Sequence, residues 1–214
     1  MVFKKIRIGT RGSPLALMQA KLVKKKILEA YPTFSEDQIP IHVLRTQGDT
    51  ITDKPLADIG GKGLFCKEID AAVLRGDIDC AVHSAKDLES ILPEHIHIIA
   101  TPVRDDPWDA LVTPRYNSLE DLPEHATIGT ASVRRAAQLK HHRPDLRIRL
   151  LRGNIHTRLK KITQGEFDAT VLAYAGLKRL DLTHYSKKIF FAPLLILVHS
   201  FNFFVKRVYA IETC

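Results

Sequence analysis

Ile8-Gly9-Thr10-Arg11-Gly12-Ser13-Pro14 is the stretch on which the reading of the fold turns. Phe3–Thr10 reads as a strand, and Ser13 followed by Pro14 is a helix start, because serine caps free N–H groups and proline is tolerated at the first helical position. Ala16, Ala20, Val23, Ile27 and Ala30 then recur at helical spacing, with Lys21 and Lys25 on the opposite face. A strand handing over to a helix through a glycine-containing turn is the opening of an α/β domain.

The alternation continues on both sides of that turn. Ile39–Arg45 reads as a second strand, Gln47–Gly63 as a loop, Leu64–Leu74 as a helix, and Ile78–Val82 and Ile96–Thr101 as further strands. The pattern restarts after Asp105-Asp106-Pro107. Ala110–Thr113, Thr127–Gly129, Ile148–Leu151 and Ala169–Leu172 read as strands, and Ser132–His142 and Ile155–Thr163 as helices. Pro102 and Pro107 mark a hinge, which divides the chain into an α/β lobe over 1–102 and a second over 103–186.

A weak internal repeat points to two similar lobes. Gly76-Asp77-Ile78-Asp79 with Val82 and Leu88 matches Gly165-Glu166-Phe167-Asp168 with Val171 and Leu177, each residue 89 positions after its counterpart. Ile8-Gly9-Thr10 and Ile128-Gly129-Thr130 also match, each just before an expected helix.

The 214 residues are enough for two small domains with cores of their own, and the net charge of +8 suits a polyanionic partner or a solvated basic face. Cys66, Cys80 and Cys214 form no CxxC pair, so no zinc site is expected. Their odd number and the lack of a secretory leader point to a cytoplasmic protein. Charge alone raises nucleic-acid binding, but no aromatic-interleaved basic stripe or recognition helix accompanies it, so no nucleic-acid partner is expected.

Two turns carry anion-binding chemistry: Gly9-Thr10-Arg11-Gly12-Ser13 and Gly129-Thr130-Ala131-Ser132-Val133-Arg134-Arg135. Each sets hydroxyl residues at a helix N-terminus, where unpaired N–H groups favour anions, and adds arginine, whose planar fork grips carboxylates. Capping alone also explains Ser13 and Ser132; the added arginines favour a ligand. Arg149, Arg152, Arg158 and Arg179 follow at element ends. His83-Ser84-Ala85-Lys86-Asp87 follows a strand, so Asp87 is placed either to stabilise a cation and move protons or to sit in a loop salt bridge. Gly60-Gly61-Lys62-Gly63 lacks Walker A spacing, which argues against nucleotide hydrolysis.

Arg7–Leu17, the Gly60–Phe65 loop, Ala81–Asp87, Gly129–Arg135, Leu151-Arg152-Gly153-Asn154 and Ala175–Leu180, taken in order, resemble successive motifs of the hydroxymethylbilane synthase (porphobilinogen deaminase) family over residues 3 to about 185. The resemblance implies two lobes folded like type II periplasmic binding proteins, then a third α+β domain. It implies a transferase that joins porphobilinogen units into the linear tetrapyrrole hydroxymethylbilane, releasing ammonia, on a covalently anchored dipyrromethane cofactor. Asp87 would be the catalytic carboxylate, and Arg11, Ser13, Lys86, Ser132, Arg134, Arg135, Arg152, Arg158 and Arg179 would hold the acetate and propionate groups of substrate and cofactor, with Lys62 on a mobile loop. The family is usually monomeric, with no membrane partner. A non-catalytic two-lobed module for carboxylated pyrroles or other polyanions is the alternative.

Residues 187–214 depart from the family pattern. The Leu-Pro-Ala-Val-Gly-Gln-Gly-Ala-like segment that returns to lobe one, the third domain and its anchoring cysteine are not seen, and Cys214 is not assigned to the cofactor. This hydrophobic tail is read as a frameshift or premature truncation; a membrane segment and a divergent replacement for the missing strand are the alternatives. The first reading leaves lobe one with an unpaired sheet edge and the chain unable to prime the reaction.

Overall fold

The computed structural model describes residues 5–50, 63–190 and 209–212. These form two α/β units that part between Asp105 and Asp106, the strand at 209–212 belonging to the first.

In the first unit, β1 (Ile8–Arg11) leads into α1 (Pro14–Ala30), followed by β2 (Ile41–Leu44), a single turn α2 (Gln47–Thr50), α3 (Lys67–Arg75) and β3 (Cys80–Ser84). The sheet order is β2-β1-β3-β9, with β9 being Tyr209–Glu212, and every pairing is parallel. Side chains alternate along β3: Cys80 and Val82 pack with Ile8, Ala20 and Val23 on the α1 side, and Ala81 packs with Ile69, Ala72 and Ile78 on the α3 side. Both faces are covered by apolar helix stripes, which is why the strand is buried along its length.

The second unit holds β4 (Asp109–Val112), β5 (Thr127–Gly129), α4 (Val133–His142), β6 (Arg147–Arg149), α5 (Ile155–Thr163), β7 (Ala169–Ala173), α6 (Tyr174–Arg179) and β8 (Ser186–Phe190). Its sheet order is β6-β5-β7-β4-β8; β4 runs antiparallel to β7 and β8.

The repeated residues make equivalent bonds in the two units. The Asp79 carboxylate accepts the Arg7 backbone N–H at 2.7 Å and that of Asp168 accepts the Thr127 N–H at 2.8 Å, while both aspartates return a backbone N–H to the same residue's carbonyl, at 2.9 Å each. Gly76 and Gly165, at φ 77° and 78°, end the preceding helices in the left-handed region that glycine enters at little cost. Ile8 pairs with Cys80 as Ile128 pairs with Ala169.

Two expectations need correction. Ile96–Thr101 is not a strand; only Ala100 makes an isolated bridge. Ile96 is buried and Ile98 partly buried over the α3 side of the core, so the alternation records packing onto the sheet; β3 already has β1 and β9 as neighbours. The edge of lobe one beside β3 is not left unpaired, because Ala81–Ser84 pair in register with Tyr209–Glu212, whose backbone satisfies the exposed ladder groups. β8 runs across the 186/187 boundary and pairs with β4. No helix among the described residues is long and apolar enough to cross a membrane.

Candidate functional site

In the first unit, β1 and β3 are parallel neighbours, so the turns that follow them emerge side by side. Thr10 ties the ends together: its hydroxyl reaches the carbonyls of Ala16 and Val82, each at 3.3 Å. Ser13 caps α1, its Oγ accepting the Ala16 N–H at 3.2 Å. Beyond β3, Ala85–Asp87 form one 3-10 turn that brings Asp87 Oδ2 to 3.3 Å from Arg11 Nη1.

Arg11 is the hub. Its Nε lies 3.2 Å from both carboxylate oxygens of Asp49, its Nη2 also binds Asp49, and its Cζ sits 4.0 Å above the centre of the Phe65 ring, a cation–π contact. Burial would raise the Asp49 pKa, but hydrogen bonds from Arg11 and Thr46 and the Arg11 charge outweigh it and hold the group below the usual carboxylate range. A cavity of about 60 Å³ is lined by Arg11, Ser13, Gln19, Ser84, Lys86 and Asp87, among others. It is open to solvent on one side and wide enough for a few waters or for a carboxylate or amino group. In its wall the buried Gln19 amide donates to Ser84 Oγ at 3.0 Å.

The support beneath Asp87 is a buried thiol. Cys66 Sγ donates to the Asp87 carbonyl at 3.2 Å and lies 3.9 Å from His83 Nδ1. Burial, with the nearby charges of Asp70 and Asp87, pushes the Cys66 thiol up to about 12, so it stays protonated and a donor at neutral pH. Burial, with the Arg11 charge, pulls His83 down to about 4 and keeps it neutral.

The second unit repeats the strand–turn–helix with different charges. Ser132 caps α4, its Oγ accepting the Arg135 N–H at 3.4 Å. Arg135 forks onto Asp109, Nη2 to Oδ1 at 2.6 Å and Nε to Oδ2 at 3.1 Å, and Arg134 Nη2 reaches the same Oδ2 at 2.8 Å. Burial alone would raise the Asp109 pKa; the hydrogen bonds and charges of Arg135 and Arg134 lower it instead. Arg149, at the end of β6, lies 5.0 Å over the Phe167 ring. Arg152 precedes Gly153, whose carbonyl accepts Arg158 Nε at 2.7 Å, and Asn154 caps α5 through Thr157 N–H at 2.9 Å.

Of the residues singled out in the sequence, Arg11, Ser13, Lys86 and Asp87 therefore meet around one cavity in the first unit. Arg134 and Arg135 meet on Asp109 beside Ser132 in the second, and Arg152 and Arg158 flank Gly153. Arg179 closes α6, about 9 Å along the helix axis from the end of β7 at the usual rise per residue. Lys62 lies outside the described residues. The sequence reading missed Asp49, Gln19 and Asp109, and gave Phe65 no role of its own; Cys66, read as a buried structural thiol, is buried beneath Asp87. Asp49 comes to Arg11 because β2, which its loop leaves, lies beside β1.

The fold is shared with periplasmic substrate-binding proteins. An ABC transporter periplasmic substrate-binding protein from Coxiella burnetii superimposes with a TM-score of 0.52 at 13% identity, covering 86% of this chain and 78% of that one. The methionine-binding protein MetQ gives 0.53 at 10% identity over 87% and 78%. Residues 6–200 match the family described as porphobilinogen deaminase, dipyromethane cofactor binding domain, and the chain belongs to that family. A porphobilinogen deaminase of Nitrobacter winogradskyi is 53% identical over 175 residues, covering 82% of this chain, and one of Phenylobacterium zucineum is 48% identical over 190 residues, covering 86%. The chain spans 55% and 59% of the lengths of these two relatives.

Proposed function

We propose that this chain supplies the substrate- and cofactor-binding units of a transferase that polymerises porphobilinogen into hydroxymethylbilane with release of ammonia. The observation that carries the reading is Asp87, set by the Cys66 thiol and Arg11 in the lining of a small cavity that Lys86 and Ser13 also line. Loss of ammonia from an aminomethylpyrrole leaves positive charge on the ring and its N–H. A fixed carboxylate in a partly buried site stabilises that charge as it develops and accepts the N–H hydrogen bond. Arg11 lies 3.3 Å from that carboxylate, and Lys86 and Arg11 offer N–H donors to substrate carboxylates.

The donor set fits a polycarboxylated dipyrrole. Arg134, Arg135 and Ser132, with Arg152, Arg158 and Arg179, would hold the acid side chains of porphobilinogen and of a dipyrromethane, since guanidinium forks match carboxylates geometrically. When bound, the dipyrromethane supplies the pyrrole carbon to which new units are joined.

The test is Asp87→Asn in a chimera in which residues 1–186 are continued by the corresponding C-terminal portion of the Nitrobacter relative. Ammonia release should fall by roughly 10²–10³, the range for losing one preorganised charge-stabilising group, with porphobilinogen affinity changed only a few-fold. A variant turning over near the parent rate would remove Asp87 from the mechanism. The alternative, a non-catalytic module for carboxylated pyrroles, gives Asp87 no chemical role, so a parent chimera that binds porphobilinogen without releasing ammonia would favour it.

A further inference from the structure

The first turn of α4 is electrostatically awkward. It carries Arg134 and Arg135 and no acidic residue, although cations at a helix N-terminus face the positive end of the dipole. Two adjacent guanidiniums also repel each other. The compensating charge comes from another element: Asp109 is the first residue of β4, and because β4 runs antiparallel to β7 that residue pairs with Ala173, at the end of β7. Its neighbour Trp108 accepts the Tyr174 N–H at 2.8 Å, so the Asp109 backbone is held on both sides.

The three side chains are not equally exposed. The side chains of Asp109 and Arg135 are 11% and 13% exposed, and that of Arg134 is 45% exposed. Arg135 gives Asp109 its Nε and one Nη, whereas Arg134 gives Asp109 one Nη and Gln138 the other, at 2.8 Å. Each guanidinium carries five N–H donors, and among the described residues Arg135 Nη1 and Arg134 Nε take no hydrogen-bond partner.

We infer that Asp109 is a positioning residue: one buried carboxylate fixes the spacing and aim of Arg134 and Arg135, so that the pair receives ligand carboxylates as a preformed fork. This rests on the reading that the ligand is a carboxylated pyrrole. Asp109 touches no ligand in this account; it acts through the two arginines.

The experiment compares the affinity of the chain for porphobilinogen and for its dimethyl ester, which keeps the ring and removes both negative charges. The parent chain should prefer the free acid by about thirtyfold or more, in keeping with charge-assisted hydrogen bonds. Asp109→Asn should narrow that preference to about threefold or less, mainly by weakening the acid, with ester affinity unchanged. Asp109→Glu, which keeps the charge one methylene further out, should give an intermediate preference; it carries the test if the Asn variant does not fold. A merely structural role would weaken acid and ester alike and leave the preference intact, and that result in a folded variant overturns the inference. A parent chain that does not distinguish acid from ester overturns instead the reading of the ligand, and the inference falls with it.

Discussion

One arginine meets two carboxylates in the first unit, Arg11 with Asp49 and Asp87; two arginines share one carboxylate in the second, Arg134 and Arg135 with Asp109. The framework beneath them is the same, strand for strand: β2-β1-β3 corresponds to β6-β5-β7, and Asp79 and Asp168 make the same backbone bonds. The difference lies in the turns at the ends of the strands. A repeated scaffold therefore fixes where a charge can be placed, and the residues in the turn decide its sign. The carboxylate-rich turn suits a developing cation, and the guanidinium-rich turn suits a ligand's acid groups.

The largest effect of breaking this asymmetry is expected at Arg134. Arg134→Gln removes the half-exposed guanidinium and leaves Arg135 on Asp109, so the fold should survive. Affinity for porphobilinogen should fall roughly 10- to 100-fold, the range for hydrogen bonds to charged groups, when measured by calorimetric titration. An unchanged affinity would take the second unit's arginines out of recognition.

The paired glycines come next. A Cβ on Gly129 would lie 2.8 Å from Leu151 Cβ and 3.0 Å from Phe167 Cδ1, and one on Gly9 would meet the tip of Ile78, its Cδ1, at 2.2 Å. Ile78 and Phe167 are counterparts in the repeat, so the same close approach of helix-side core to strand recurs. Gly129→Ala should cost about 1–3 kcal/mol, because a Cβ bonded to the backbone and an aromatic ring cannot both move aside. Gly9→Ala should cost less, since a terminal methyl can rotate away; chemical denaturation of the two variants checks the order.

A smaller, pH-dependent effect should be confined to the first unit. His83 is pulled down to about 4 by burial and the Arg11 charge, and its counterpart in the repeat is Leu172, which does not titrate. A histidine with a lowered folded pKa gives stability that is complete above its unfolded value near 6.5 and is lost as pH falls toward 4. From pH 7 to pH 5 the first unit should lose roughly 2 kcal/mol, following about 1.4 kcal/mol per pKa unit. Amide protection, taken relative to the intrinsic exchange rate at each pH, should fall there while the second unit holds; an equal fall in both would assign the loss elsewhere.

Much of this frame was legible in the sequence because it depends on local signals. Ser13 and Ser132 announced their helices as caps, and the Gly76 and Gly165 motifs announced helix ends before buried strands. Ile96–Thr101 misled because alternation marks an extended segment over a core as well as one inside a sheet. Asp109 was illegible for a different reason. Its role depends on β4 running backwards beside β7, which brings the first residue of one strand to the last of another, and no local pattern encodes direction. Asp49 depends in the same way on β2 lying next to β1. The arginines were visible as a class, but which carboxylates they already held was not.

The division of roles between the two units is tested most directly by measuring porphobilinogen affinity and ammonia release together in the chimera, for Asp87→Asn and Arg134→Gln. The account predicts opposite losses. Asp87→Asn should keep affinity within a few-fold and lose nearly all turnover, whereas Arg134→Gln should lose affinity and, at saturating substrate, keep most of its turnover. If both variants lose affinity and turnover in the same proportion, the two turns act as one undivided site and the account is contradicted.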